Sequence, residues 1–264
     1  MVKELKNNKL NLVWWGNNNN WGDNLNPYLI SKITKDNWDI NRVELNDTTS
    51  THRYYCIGSI LSQTYSSNYE IWGAGLESSD SKLQETPQKI HSVRGPLTRK
   101  VILGQGIECP EIYGDPALLI SKFYSPKVEK KYKYGIIPHF SHKSNPWLSN
   151  FIDDPDVTVI DIQDPNIARF IDKVNECEII LSSSLHGIIC GDSYNIPSYW
   201  IDLSPDGEVN WFKFNDYFIS VKRPLIGCMR PDINTKIKDL WPPLYNYFID
   251  IDLDKLLKSC PFIK

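Results

Sequence analysis

Short apolar runs, turns of small residues and amphipathic stretches follow one another along most of the chain. The run "NLVWWG" (11–16) predicts a strand, and "LNPYLISKIT" (25–34) predicts a helix with Leu25, Leu29 and Ile33 on one face. Three further runs end in glycine or a glycine–serine pair: "YYCIGS" (54–59), "YEIWGAG" (69–75) and "KIHSVRG" (89–95). The helix in "PLTRKVILGQG" then starts at Pro96 and stops at Gly104. "EIYGDPALLI" (111–120) closes this half. The charged stretch "SKFYSPKVEKKYK" (121–133) contains a proline and has no apolar face, so it reads as a linker.

The rhythm then resumes. Strands are expected at 134–140, 157–162, 178–183 and 197–203. Helices are expected near "NPWLSNFI", over 165–177 and 185–195, and in "FKFNDYFIS". Strands alternating with helices at this spacing imply parallel sheets. The fold expected is α/β, with two Rossmann-like domains, 1–125 and 126–264, facing across a cleft. A C-terminal helical tail, including "LDKLLKSC" (253–260), packs back across both. Open parallel sheets bind ligands at the carboxyl ends of their strands, so residues there outrank all others as site candidates.

Composition narrows the partners. The 264 residues are 41% hydrophobic and 23% charged, which is ordinary globular usage. The formal charge is −3, the pI is about 6.0 and there is no basic block, so nucleic acid is not an expected partner. The start "MVKELKNNKLNLVWWG" lacks the apolar core of a signal peptide, and no stretch has the roughly 20 apolar residues of a membrane span. The six cysteines are scattered without close pairs, which favours a reduced, cytoplasmic chain over a zinc site, and no metal is expected. Nine Trp and fourteen Tyr are many; core packing accounts for most rings, and a few remain for a sugar face.

Four strand ends carry the chemistry. Ser183, Ser184, His186 and Gly187 lie at a strand-to-helix turn, where free backbone N–H groups and the helix dipole attract phosphate. His186 there serves as a cation or a general acid; the bland reading is a histidine capping its own helix. Arg94 ends a strand, and its planar fork suits carboxylate or phosphate. Asp115, in "YGDPALL", is a site residue or a plain Asp-Pro turn opener. In the polar loop 17–26, Asn20 and Gly22 suit a polyhydroxyl ligand, Trp21 suits a stacked sugar, and Asp23 is a helix cap or a base. Gly58, Ser59, Gly73 and Gly75 complete the strand ends, and Lys213 precedes the last helix of the second half. No dinucleotide fingerprint, Walker loop, G-x-S-x-G or H-E-x-x-H motif occurs.

In order along the chain, "NNWGDNLN", "IGSIL", "WGAGL", "SVRGPLTRKVILGQG", "YGDPALL", "SSSLHGIICGDSYNIPSYWI" and "KFNDYF" resemble the motifs of the polysaccharide pyruvyl transferase family. The matches cover roughly residues 11 to 220. Two departures are visible: Gly95 stands where the family often has Asp, and Thr98 where it often has Ser. The resemblance implies a GT-B-like architecture and no cofactor. Phosphoenolpyruvate would be the donor, its three-carbon unit joining two hydroxyls of one sugar as a ketal, with release of phosphate. It implies His186 as general acid, Arg94 and Lys213 as cations for the donor, and Asp23 as a candidate base. The saccharide acceptor is free or lipid-linked, and the expected place is the cytoplasm or the inner face of the membrane. Two other readings share these features: a GT-B glycosyltransferase using a nucleotide sugar, and a non-catalytic carbohydrate-binding protein.

Overall fold

The computed structural model describes residues 8–16, 19–240 and 247–263. The expectations for residues 1–7, for Asn17 and Asn18 of the polar loop, and for 241–246 lie outside that range. Two all-parallel sheets form. The first has the order β2-β1-β3-β4-β5, from β1 (Asn8–Val13), β2 (Trp38–Val43), β3 (Arg53–Tyr55), β4 (Tyr69–Trp72) and β5 (Lys89–Ser92). The second has the order β7-β6-β8-β9, from β6 (Tyr132–Ile137), β7 (Val157–Val159), β8 (Cys177–Ser182) and β9 (Ser198–Trp200). The helices are α1 (Trp21–Ile33), α2 (Pro96–Gly104), α3 (Ile167–Asn175), α4 (Leu185–Ser193), α5 (Trp211–Ser220) and α6 (Leu253–Lys258).

The structure departs from the sequence reading in four places. Strand β2 went unread, because in "WDINRV" only Val43 is buried; an edge strand carries little apolar signal. The links from β3 to β4 and from β4 to β5 are loops without a helix. "NPWLSNFI", expected as a helix, forms the 3-10 segment Pro146–Phe151 after the capping Asn145; "PALLI", for which no element is expected, lies in the 3-10 segment Pro116–Lys122 after the capping Asp115. The C-terminal region is mostly irregular: between 227 and 240 only Ile237–Asp239 is helical, and between 247 and 263 only α6 is.

One apolar core joins the two sheets. Leu10, Leu12 and Leu25 of the first half share it with Ile160, Phe170 and Ile188 of the second. Smaller cores lie under the outer faces, around Tyr55 and Ile71 on one side and Trp147 and Tyr199 on the other. The C-terminal segment crosses back: Trp72 of β4 donates its indole N–H to the Leu256 carbonyl at 3.1 Å, and Phe262 packs edge-to-face on Trp72 and Tyr54. Helix α5 packs on α2 in the first half. Among the described residues no helix is long and apolar enough to cross a membrane.

Trp21 sits at the seam between the halves. Its backbone N–H donates to Ile162 and its indole N–H to Ile167, and the ring stacks on Phe170 at 5.0 Å. The side chain is fully buried, so the expected sugar-stacking role is corrected: this ring holds α1 to α3. Trp21→Ala is expected to cost about 3–5 kcal/mol of unfolding free energy in urea titrations, whereas a ligand-facing ring would leave stability unchanged.

Candidate active site

The carboxyl ends of both sheets open on one cleft of about 380 Å³. Eight of the candidate residues line it: Asn20, Asp23, Gly58, Ser59, Arg94, Ser184, His186 and Lys213. A larger hollow, about 800 Å³, lies at the other end of the first sheet beside Lys89, Leu103 and Glu108, away from these strand ends.

Helix α1 brings two of the eight. Asn20 caps it, accepting from the Gly22 N–H at 3.0 Å, and Asp23 follows in the first turn. Asn26 ties the helix to the end of β3, giving and taking hydrogen bonds with the Ile57 backbone. Gly58 follows at φ +121°, a conformation that favours glycine, and turns the chain so that Ser59 meets Arg94.

Arg94 is not a free fork. Its Nε donates to Asp216 Oδ2 (3.0 Å), one terminal nitrogen to Ser59 Oγ (2.6 Å) and the other to the Leu76 carbonyl (2.7 Å). The side chains of Arg94 and Asp216 are 1% and 0% exposed. Asp216, on α5, also accepts from the Thr98 backbone N–H and hydroxyl. The space where residue 95 would carry a side chain is filled by the Asp216 carbonyl and carboxylate. A carboxylate from α5 thus lies beside Gly95, and Thr98 is its partner. Lys213, one turn before Asp216, pairs with Glu77 at 3.0 Å; Asn210 caps α5 and donates to the same Glu77 oxygen.

His186 opens the first turn of α4. Ser184 is the N-cap residue, with no side-chain capping bond. The imidazole packs against Gly22, where any β-carbon would overlap the ring. Its Nε2 points at Asp115 Oδ2, 3.8 Å away; both atoms are shut off from solvent, and neither has a hydrogen-bond partner. The other Asp115 oxygen accepts from the Ala117 N–H at 2.9 Å.

Seven candidates stand behind the wall rather than on it. Trp21 is in the seam, and Gly22 is the floor under His186. Gly73 passes Pro116, Gly75 passes the Arg94 guanidinium, and Gly187 passes Ser182, each too close for a β-carbon. Asp115 caps its 3-10 segment behind His186. The Ser183 hydroxyl accepts from the His139 N–H and meets His142 Nδ1 at 3.0 Å, tying down the loop after β6. For these, the pattern marked the right strand ends but could not tell a packing contact from a ligand contact.

Trp15, Glu77 and His139 also line the cleft. Trp15 is 38% exposed, the reverse of Trp21. Arg42 packs on Gly16 behind it and donates to the Trp14 carbonyl. Asp216 was missed although it sits three residues after Lys213, a spacing that shares a helix face.

Burial shifts the protonation states. Burial first, then Arg94, Lys213 and His139, push the His186 imidazole down to about 3, so it is neutral at physiological pH. His139 falls to about 4 through burial, Lys213 and His142. Burial and the nearby Asp115 push Asp23 up to about 7, against the pull of Lys213. Asp115 rises to about 6 through burial, against the Ala117 N–H and Arg94.

The family model for polysaccharide pyruvyl transferase matches residues 70–205, more than half of the chain. The chain belongs to the polysaccharide pyruvyl transferase family. It is 31% identical over 210 residues to uncharacterized protein L143 of Acanthamoeba polyphaga mimivirus, covering 75% of this chain and 69% of that one. It is 25% identical over 211 residues to the succinoglycan biosynthesis protein ExoV of Rhizobium meliloti (strain 1021), covering 77% of this chain and 62% of ExoV, less than two thirds of that relative's length. A solved structure, the functionally uncharacterized KP1_0663 of Klebsiella pneumoniae subsp. pneumoniae NTUH-K2044, aligns with a TM-score of 0.48 at 13% identity, over 80% of this chain and 87% of that one. The pyruvyl transferase match takes in Arg94, Asp115 and His186; Asp23 and Lys213 lie outside it.

Two outcomes follow from the geometry. Gly22→Ala should displace the His186 ring and lower transferase activity at least about tenfold, while the protein stays folded, because alanine is the better helix former; wild-type activity would contradict the contact. Asp23 is raised in the fold from its ordinary 3.8 to about 7, so its ionisation opposes folding across that window. Thermal melts should show Asp23→Asn gaining on the wild type as pH climbs from about 4 to about 8; a gap constant with pH contradicts the shift.

Proposed function

We propose that this chain transfers the pyruvyl unit of phosphoenolpyruvate to two hydroxyls of one saccharide residue, forming a ketal on a polysaccharide or its precursor and releasing phosphate. The observation that carries the reading is the convergence of His186, Asp23, Lys213 and the buried Arg94 on one cleft of a pyruvyl transferase family member. We read the two sheets as the halves of a GT-B-like pair. Trp15, Asp23 and Gly58 come from the acceptor half (1–125), and His139, Ser184 and His186 from the donor half (126–264).

The donor carries a phosphate and a carboxylate on a three-carbon frame. The start of α4 offers first-turn N–H groups, Lys213 offers a cation, and the buried Arg94 adds its positive field from behind. The same two cations help keep His186 neutral. A bound trianion offsets them, which raises the proton affinity of the imidazole where a proton is needed. His186 then protonates the methylene carbon, and the cationic carbon that results is attacked by a sugar hydroxyl. Asp23, poised near neutrality, takes the hydroxyl proton. The second hydroxyl displaces phosphate, and its proton leaves with it. Trp15, exposed on the cleft, offers a face for the sugar ring. A donor from central metabolism places the reaction in the cytoplasm, on a free or lipid-linked acceptor.

The test is phosphate release from phosphoenolpyruvate with and without galactosides, glucosides and N-acetylmannosaminides, with products weighed by mass spectrometry. Acceptor-dependent release and a product heavier by one pyruvyl ketal are expected. His186→Gln should lower kcat by roughly 10²–10⁴-fold while phosphoenolpyruvate still protects the protein against heat. Protection by a nucleotide sugar, with none by phosphoenolpyruvate, overturns the reading.

A further inference from the structure

The contact between Asp115 and His186 is unlike any other in the cleft. Buried polar atoms nearly always find partners. Here two of the few described atoms that lack one, Asp115 Oδ2 and His186 Nε2, face each other at 3.8 Å, just outside hydrogen-bond range. Neither group is free to turn away. Asp115 is anchored through its other oxygen, which caps the Pro116–Lys122 segment at Ala117. The imidazole is pressed against the bare Cα of Gly22 on α1.

We propose that Asp115 is a positioning residue for His186: its unpartnered oxygen accepts the Nε2 proton and leaves Nδ1 as the nitrogen that exchanges a proton with substrate. This rests on reading His186 as the proton donor. In the resting pair the ring carries its proton on Nε2, and Nδ1 bears a lone pair. A proton taken up from solvent at Nδ1 as the anionic donor binds makes the imidazolium, whose charge the Asp115 carboxylate offsets. Transfer of that proton forms the C–H bond of the new methyl group and returns the ring to the neutral Nε2–H form. The hydroxyl proton released by the attacking sugar goes to Asp23.

Charged and titratable groups from several elements surround the pair, among them the buried Cys56 thiol after β3, which feels Asp115. Arg94 at the end of β5, Lys213 on α5 and His139 after β6 face His186 and oppose its protonation. Arg94 and Asp216 act on Asp115 with opposite sign, and Asp23 on α1 feels Asp115. Among the described residues, Asp115 is thus the carboxylate paired with His186 Nε2.

Asp115→Asn separates the idea from a capping role. The asparagine oxygen still caps Ala117, but its NH₂ now faces Nε2 and can only donate. Ring ¹⁵N shifts read the tautomer at neutral pH, and with five histidines in the chain, the His186→Gln spectrum assigns the signal. The wild type should report Nε2–H and Asp115→Asn should report Nδ1–H. The variant should lose roughly 10- to 10³-fold in kcat, keep its KM for phosphoenolpyruvate within about threefold, and cost little more in a His186→Gln background. The same tautomer in both proteins, or an equal loss in both backgrounds, overturns the proposal. If Asp115→Asn does not fold, Asp115→Ser keeps a capping oxygen and removes the carboxylate. The tautomer readout needs no turnover, so it decides the pair even if no pyruvyl transfer is found.

Discussion

A guanidinium and a carboxylate, both closed off from water, hold the cleft together. Withdrawing such charges from solvent costs several kcal/mol per ion, and the pair survives only where hydrogen bonds replace the lost water. Arg94 spends donors on Asp216, Ser59 and Leu76, and Asp216 accepts twice more from Thr98. The pair clamps α5 to the β5–α2 junction, and so carries Lys213 to the cleft opposite His186. The glycines follow from this constraint. Gly75 and Gly95 lack side chains because the guanidinium and the Asp216 backbone occupy those spaces. At Gly95, the space a side chain would need is taken by the Asp216 carbonyl and carboxylate of α5.

The same burial that makes the ion pair costly sets the protonation chemistry. His186 is pushed down and Asp23 and Asp115 are pushed up, so all three tend towards their neutral forms. Such opposed shifts in one cleft mark groups suited to exchange protons. Because Arg94 and Lys213 add to burial in holding His186 neutral, an anionic ligand that engaged them would raise the proton affinity of the imidazole. In the proposed reaction this would couple binding to proton transfer through electrostatics, without a moving part.

The shared core explains why the cleft is built to fixed dimensions. Trp21 bonds to carbonyls of the second half while, of the next residues along, Gly22 lies under the His186 ring and Asp23 lines the cleft. A shift between the halves would have to break the Trp21–Phe170 stack before it could widen the cleft.

What the sequence alone determined is the periodic architecture and the strand ends. Alternating apolar runs and amphipathic helices specify parallel sheets because each pattern can bury only one arrangement of faces. Glycine, serine and histidine mark the turns at those ends, and eight of the fifteen candidates line the cleft. β2 stayed hidden because an edge strand half in water needs few apolar residues. The tertiary structure alone decided which of two neighbouring tryptophan sites faces solvent, that Asp216 answers Arg94 across 122 positions, and that Asp115 stands behind His186. Those choices depend on contacts between residues far apart in sequence, and local spacing carries no information about which distant side chain fills a space.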